Sequence, residues 1–177
     1  MKRKHLAIVV LSVFFSGCAG IPDGLTPVTG FETEKYLGKW YEIARLDHRF
    51  ERNMSNVSAV YTVADNDYIT VLNRGYDEVK KKWKQISGKA RFIGDKNTGS
   101  LKVSFFGPFY SGYHIIALDK EAYRYALVTG PKRSYLWILS RSKSLDEKIL
   151  AGLVSQAARW GFETDQLIYV KQEQQGE

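Results

Sequence analysis

Gly38-Lys39-Trp40-Tyr41-Glu42-Ile43-Ala44-Arg45 decides the fold of this chain. Aromatic and β-branched residues follow a glycine, which predicts a strand over Trp40–Leu46. A polar connection through Asp47, His48, Arg49 and Asn53 ends it. Beyond it, Val57–Val63 alternates, with Ala59, Tyr61 and Val63 on one side and Ser58 and Thr62 on the other. Asp65-Asn66-Asp67 is a tight-turn signal, and Tyr68–Asn73 returns as the next strand. Further strands are predicted at Trp83–Phe92, Leu101–Phe106, Tyr113–Leu118, Tyr125–Thr129 and Tyr135–Ser140. Eight consecutive strands with short links predict an all-β fold, an eight-stranded up-and-down antiparallel β-barrel whose closure removes exposed edges.

One helix follows the strands. Ser144-Leu145-Asp146-Glu147 fits a capping box, and Leu145, Ile149, Leu150, Leu153, Ala157 and Trp160 keep helical spacing up to Gly161, a natural stop. A single apolar stripe predicts a C-terminal α-helix packed on the outside of the barrel. Leu167–Val170 could add a ninth strand at the edge.

The N-terminus has a different character. Met1-Lys2-Arg3-Lys4 is a basic start and Leu6–Phe15 an apolar run, the layout of a secretory signal and too short for a permanent membrane span. It ends in Phe15-Ser16-Gly17-Cys18, which holds the only cysteine of the 177 residues. One cysteine excludes an internal disulfide framework and a multi-thiolate zinc site. Removing 17 residues, Lys2, Arg3 and Lys4 among them, takes the chain from 177 to 160 and its formal charge from +7 to +4. The basicity that would suggest nucleic acid is therefore partly a discarded signal, and the remaining basic residues are dispersed. Ile21–Thr29, with Pro22, Gly24 and Pro27, reads as a tether. The expected organisation is a signal peptide over 1–17, a lipidated N-terminus and tether over 18–30, and one domain over 31–177.

These residues carry a family resemblance. Gly38 to Arg45 resembles the G-x-W signature that opens the first strand of lipocalins. Asp119 followed by Tyr125-Ala126-Leu127-Val128 resembles the second lipocalin block, with Leu118-Asp119-Lys120 where Thr-Asp-Tyr is usual. Trp137-Ile138-Leu139-Ser140-Arg141 resembles the third, just before the helix. Phe15-Ser16-Gly17-Cys18 resembles the lipobox of bacterial lipoproteins, with Phe15 in place of the usual Leu, which implies acylation of Cys18. Ala19 after that cysteine implies sorting to the outer membrane. The whole is similar to the bacterial outer-membrane lipocalins, a lipid-binding branch related to apolipoprotein D.

The resemblance implies roles. Gly38, Trp40 and Arg141 are expected to close the barrel, with the Arg141 guanidinium stacked on the Trp40 indole. If Trp40 points inward, so does Ala44. Aligned with the family, the inward residues proposed to contact ligand are Ala59, Val71, Asn73, Val103, Phe105, Tyr113, Ile115, Val128, Tyr135 and Trp137. Tyr113, Tyr135 and Trp137 are placed nearest the open end. An eight-stranded barrel holds one small ligand, and an apolar, aromatic lining suits an acyl chain. Alternate connections share an end, so Phe50, Lys80-Lys81-Lys82, the stretch Phe106–Tyr110 and Lys132-Arg133 gather at one mouth. That mouth suits the head of a lysophospholipid or fatty acid, while the bland reading of Lys80–Lys84, which weighs slightly more, is a solvated hairpin tip.

The function expected by resemblance is that of an outer-membrane lipoprotein facing the periplasm. It would bind, store or transfer lysophospholipids or fatty acids for envelope maintenance or stress, with no cofactor, metal, catalysis or nucleic acid. A homodimer is left open. The alternatives are a lipid-modifying enzyme and a purely structural envelope lipoprotein. The mature chain has two histidines, His48 and His114, and Asp47-His48 are neighbours on a loop expected to be mobile, without a nucleophile elbow or metal-spaced cluster. Phospholipid turnover that disappears in His48→Ala would identify an enzyme.

Overall fold

A computed structural model describes residues 19–64 and 68–173. The predicted signal, Cys18 and the predicted Asp65–Asp67 turn lie outside the described residues. Nine strands follow a short helix α1, Thr33–Tyr36: β1 Gly38–Arg45, β2 Met54–Val63, β3 Ile69–Asp77, β4 Lys82–Phe92, β5 Ser100–Phe106, β6 Phe109–Leu118, β7 Tyr125–Thr129, β8 Leu136–Ser140 and, after helix α2 over Glu147–Arg159, β9 Ile168–Tyr169. Neighbours in sequence pair antiparallel from β2 through β8, β8 pairs β1, and β1 pairs β2, so eight strands close on themselves. β9 adds to β1 at Ala44 and Arg45, which is the ninth strand expected near Leu167–Val170.

All eight barrel strands lie where alternation placed them, and the differences are in their ends. β2 and β3 run further at one end, Met54 facing Asp77, because polar residues such as Arg74 and Asp77 continue a ladder that hydropathy alone does not mark. β6 begins at Phe109, four residues before the predicted Tyr113. Phe106 pairs with Phe109 across a two-residue Gly107-Pro108 connection, so the expected aromatic loop is mostly strand.

Strand alternation sorts apolar side chains into two cores. The inner one holds Trp40, Tyr61, Val71, Val103, Ile115, Val128 and Leu139, capped by Phe31, Tyr36 and Tyr123. The outer one lies between the wall and α2: Ile43, Ala44, Leu127, Leu136 and Ile138 meet Leu153, Ala157 and Phe162. Along β7 the period is plain, with Ala126 and Val128 inside and Leu127 beneath the helix. Ala44 breaks it. A register shift between Glu42 and Ala44 inserts an extra residue against β8, so Ala44, expected inside, joins the outer core while Arg45 pairs with Trp137.

Helix α2 is capped differently from expectation. Asp146 is the N-cap, its Oδ1 accepting from the N–H of Lys148 at 2.9 Å and of Ile149 at 3.1 Å. Ser144 instead offers its carbonyl to Ser140 Oγ at 3.4 Å. At the other end Gly161 has φ +79, and the N–H groups of Gly161 and Phe162 return to the carbonyls of Ala158 and Ala157, the stop the sequence indicated. The segment read as a tether lies along the barrel: Leu25 is buried, and Val28 N–H donates to the Ile115 carbonyl at 2.9 Å.

The two candidate caps separate by mutation. Asp146→Ala should cost about 1 kcal/mol, whereas Ser144→Ala should stay within about 0.5 kcal/mol, measured by urea unfolding.

Candidate ligand-binding cavity

The closed end of the barrel is built on a tryptophan. Trp40 is fully buried and its Nε1 donates to the Tyr36 carbonyl at 2.8 Å. The Arg141 guanidinium lies 4.0 Å from the centre of the Trp40 ring system. It donates to three main-chain carbonyls, from Nη1 to Lys39 at 2.9 Å, Nη2 to Lys35 at 2.7 Å and Nε to Tyr123 at 3.2 Å. One side chain at the end of β8 thus ties together α1, β1 and the β6–β7 connection. Gly38 has φ +90, a conformation that disfavours other residues, and a Cβ there would stand 3.4 Å from Arg141 Nη1. Gly38, Trp40 and Arg141, widely separated in sequence, meet here.

Above this plug the tyrosine hydroxyls form a chain, Tyr113 to Tyr36 at 2.7 Å and to Tyr61 at 2.8 Å. Burial pushes all three phenols upward, so they remain protonated. Tyr113 was expected near the mouth. It lies deep instead, because β6 starts four residues earlier and sets Tyr113 opposite Leu101 at the closed-end start of β5. A small apolar space surrounds it, lined by Phe31, Tyr36, Ile69, Leu101 and Val103 among others. Phe31, Tyr36 and Tyr123 were missed from sequence, since α1 has four residues, too few to show a period.

The barrel's middle is apolar. Val71, Val103, Ile115 and Val128 are buried, while Ala59, Phe105 and Trp137 pack on the same inner core and stay half-buried. The Phe105 ring lies against Gly88, whose absent Cβ would stand 2.7 Å from it. Asn73 is the polar exception, its Oδ1 buried without a protein partner.

Toward the mouth the wall turns polar. Arg45 Nη1 donates to Glu42 Oε1 at 2.6 Å, and Arg45 Nη2 to the Glu51 carbonyl at 2.6 Å. Glu51 Oε2 accepts from Trp137 Nε1 at 3.0 Å and stands 2.9 Å from His48 Nε2. The His48 ring packs on Tyr135 and Trp137 at 5.8 and 5.2 Å. His48, expected on a mobile loop beside Asp47, is therefore buried in the collar, while Asp47 turns outward to Arg52 at 2.6 Å. The two glutamates divide their charge. Burial raises Glu42 well above the ordinary range, the negative Glu51 adds to this, and Arg45 opposes without cancelling it. Burial works against Glu51 too, but His48, the Trp137 N–H and Arg45 outweigh it and hold Glu51 ionised.

The basic rim is partly self-neutralised. Lys84 pairs with Asp77 at 2.5 Å and Lys81 with Glu78 at 3.2 Å. Lys84, with the N–H groups of Lys80 and Val79, holds the Asp77 carboxyl down at about 2. Among the described residues, no group of three or more His, Cys, Asp or Glu side chains could hold a metal ion.

A family model described as a lipocalin-like domain matches residues 31–172. This chain is a lipocalin. It is 49% identical over 170 residues to outer membrane lipoprotein Blc of Vibrio cholerae, covering 96% of this chain and 99% of that one. It is 49% identical over 151 residues to the protein of the same name from Escherichia coli K12, covering 85% of each. Apolipoprotein D of Rattus norvegicus is 32% identical over 133 residues, covering 70% of this chain and 67% of that one. The solved structure of insecticyanin from the tobacco hornworm shares the fold at a TM-score of 0.70 and 22% identity, covering 88% of each chain.

Two outcomes test the cavity's architecture in this lipocalin. Arg141→Lys should destabilise the fold by about 2 kcal/mol, since an ammonium cannot both stack on Trp40 and reach three carbonyls, and thermal unfolding reports it. Glu42 holds its proton more tightly in the folded than in the unfolded chain, so its contribution is full below the ordinary carboxylate range and is lost as pH rises through its folded value. The melting temperature of Glu42→Gln relative to the unsubstituted protein should therefore climb as pH rises above the ordinary carboxylate range.

Proposed function

We propose that this lipocalin is an outer-membrane lipoprotein, anchored through acylated Cys18, that binds, stores or transfers lysophospholipids or fatty acids in the periplasm. The service would be envelope maintenance or stress response. One observation carries the reading: an apolar barrel interior that stays half-open to solvent at Ala59, Phe105 and Trp137 and ends in a polar collar of Glu42, Arg45, His48 and Glu51. An amphiphile has the same polarity along its length. Its chain would lie among Ala59, Val71, Val103, Phe105, Tyr113, Ile115 and Val128, passing Asn73, and its head beside Tyr135 and Trp137. The names of the Vibrio cholerae and Escherichia coli relatives support the anchor and the membrane, as does the sequence Phe15-Ser16-Gly17-Cys18.

Binding needs no covalent step. Each CH₂ moved from water into the barrel is worth about 0.8 kcal/mol, so chain length is the main lever on affinity until the space is full. The collar supplies what the shaft lacks. His48 Nδ1 is buried without a hydrogen-bond partner, and a polar head at the collar would meet it, while Asn73 Oδ1 is a second unpaired atom deeper in the barrel.

Titration of a fluorescent fatty acid checks the reading, with Trp137→Ala expected to weaken uptake roughly tenfold, about 1.4 kcal/mol. No uptake by delipidated protein would leave a structural lipoprotein. Replacing Lys80, Lys81 and Lys82 together by Glu should weaken lysophospholipid binding roughly threefold, the scale of an exposed charge contact. Unchanged affinity would remove these lysines from head recognition and leave the cavity.

A further inference from the structure

The mouth rim carries apolar surface that neither the cavity nor the wall uses. Phe50 on the β1–β2 connection, Val79 on the β3–β4 turn, and Phe106 and Phe109 flanking the β5–β6 turn are 63%, 70%, 68% and 78% exposed. Their three connections share one end of the barrel, and Arg49, Lys80, Lys81 and Lys82 stand among them in sequence. Single exposed apolar residues are ordinary, but four large ones on one rim mark an interaction surface. Apolar tips flanked by cations match an anionic bilayer, whose acyl boundary takes the rings while its phosphates meet the cations. Two copies meeting rim to rim would instead set like charges against each other.

The course of the N-terminal segment points the same way independently. Phe31 N–H is bound to the Asn97 carbonyl at the closed end. From there the segment climbs the wall. Val28 bonds Ile115 and Gly99, the Asp23 carbonyl accepts from Arg133 Nη2 at 2.7 Å, and the Gly20 carbonyl lies 2.9 Å from His114 Nε2. Gly112 makes room for it, since a Cβ there would stand 2.9 Å from the Gly20 carbonyl and 3.1 Å from that of Ala19. Gly112 is three strand residues, about 10 Å, from Phe109. Ala19 thus reaches the wall near the rim, and the residue before it is Cys18.

We propose that the mouth rim docks on an anionic bilayer surface, with the strap of residues 19–28 bringing the lipid anchor to the same edge, so that the cavity opens onto the membrane. This rests on the acylation of Cys18. A single-chain amphiphile then passes between bilayer and barrel without crossing bulk water.

The test uses the full-length lipidated protein in vesicles of phosphatidylethanolamine and phosphatidylglycerol. Phe109→Cys and Val63→Cys place a thiol at the mouth and at the closed end for an environment-sensitive dye. Acylation leaves Cys18 without a thiol, so dye uptake by the unsubstituted protein would expose failure of the anchor alone. Emission from position 109 should rise several-fold and be quenched by nitroxide-bearing lipids, with position 63 unchanged. Replacing Lys80, Lys81 and Lys82 by Glu should reduce that rise. A response at 63 in place of 109, or at neither, overturns the proposal. An equal rise on pure phosphatidylcholine vesicles that grows with protein density overturns it too, and assigns the rim to a second copy.

Discussion

The stacking of Arg141 on Trp40 is the contact on which the rest of the barrel depends. An eight-stranded sheet closes only if its last strand meets its first, and this guanidinium acts at that seam. Its three hydrogen bonds go to main-chain carbonyls of residues 35, 39 and 123. Those atoms belong to the short helix, the first strand and a distant connection, so one planar group fixes three pieces of backbone. The fork of a guanidinium is suited to this because its donors are held in one plane while its face remains free for an aromatic ring. With the lower end sealed in this way, the interior has a floor.

Polarity changes along the axis for the same reason that the chain closes. The floor is aromatic and its polar atoms satisfy one another, as in the Tyr36, Tyr113 and Tyr61 hydroxyls. The middle is aliphatic. At the upper level a bulge in β1 rotates Arg45 toward Trp137, and its hydrogen bond to Glu42 becomes part of the wall. Placing a neutral glutamic acid beside an ionised one lowers the electrostatic cost of burying both. The collar consequently carries less charge than its residue list suggests.

Much of the fold was legible because period two is a strong signal over eight strands. Ala126 and Val128 inside with Leu127 outside could be read from the letters alone. The misses have physical causes. Ala44 was assigned to the interior because alternation was carried through Glu42 to Ala44, where an inserted residue reverses the faces and leaves no mark in hydropathy. Tyr113 was set too high because Phe109-Tyr110 resembled a loop, whereas aromatic residues are also good strand formers. His48 looked like a mobile loop residue because its burial depends on Glu51, Tyr135 and Trp137, two of which are almost ninety residues away. Of the candidate site, the apolar shaft was visible in outline and the polar collar was not. Its members come from a loop and from a strand position that the bulge displaced.

Gly88 has a consequence for which molecules such a barrel admits. The Phe105 ring occupies the place where a side chain at position 88 would begin. The bore at this level is therefore set by an atom that is missing. A methyl at position 88 would force that ring, and the Ser104 carbonyl 2.8 Å from the same point, to give way. The width available beside position 88 is thus coupled to where one aromatic ring can stand.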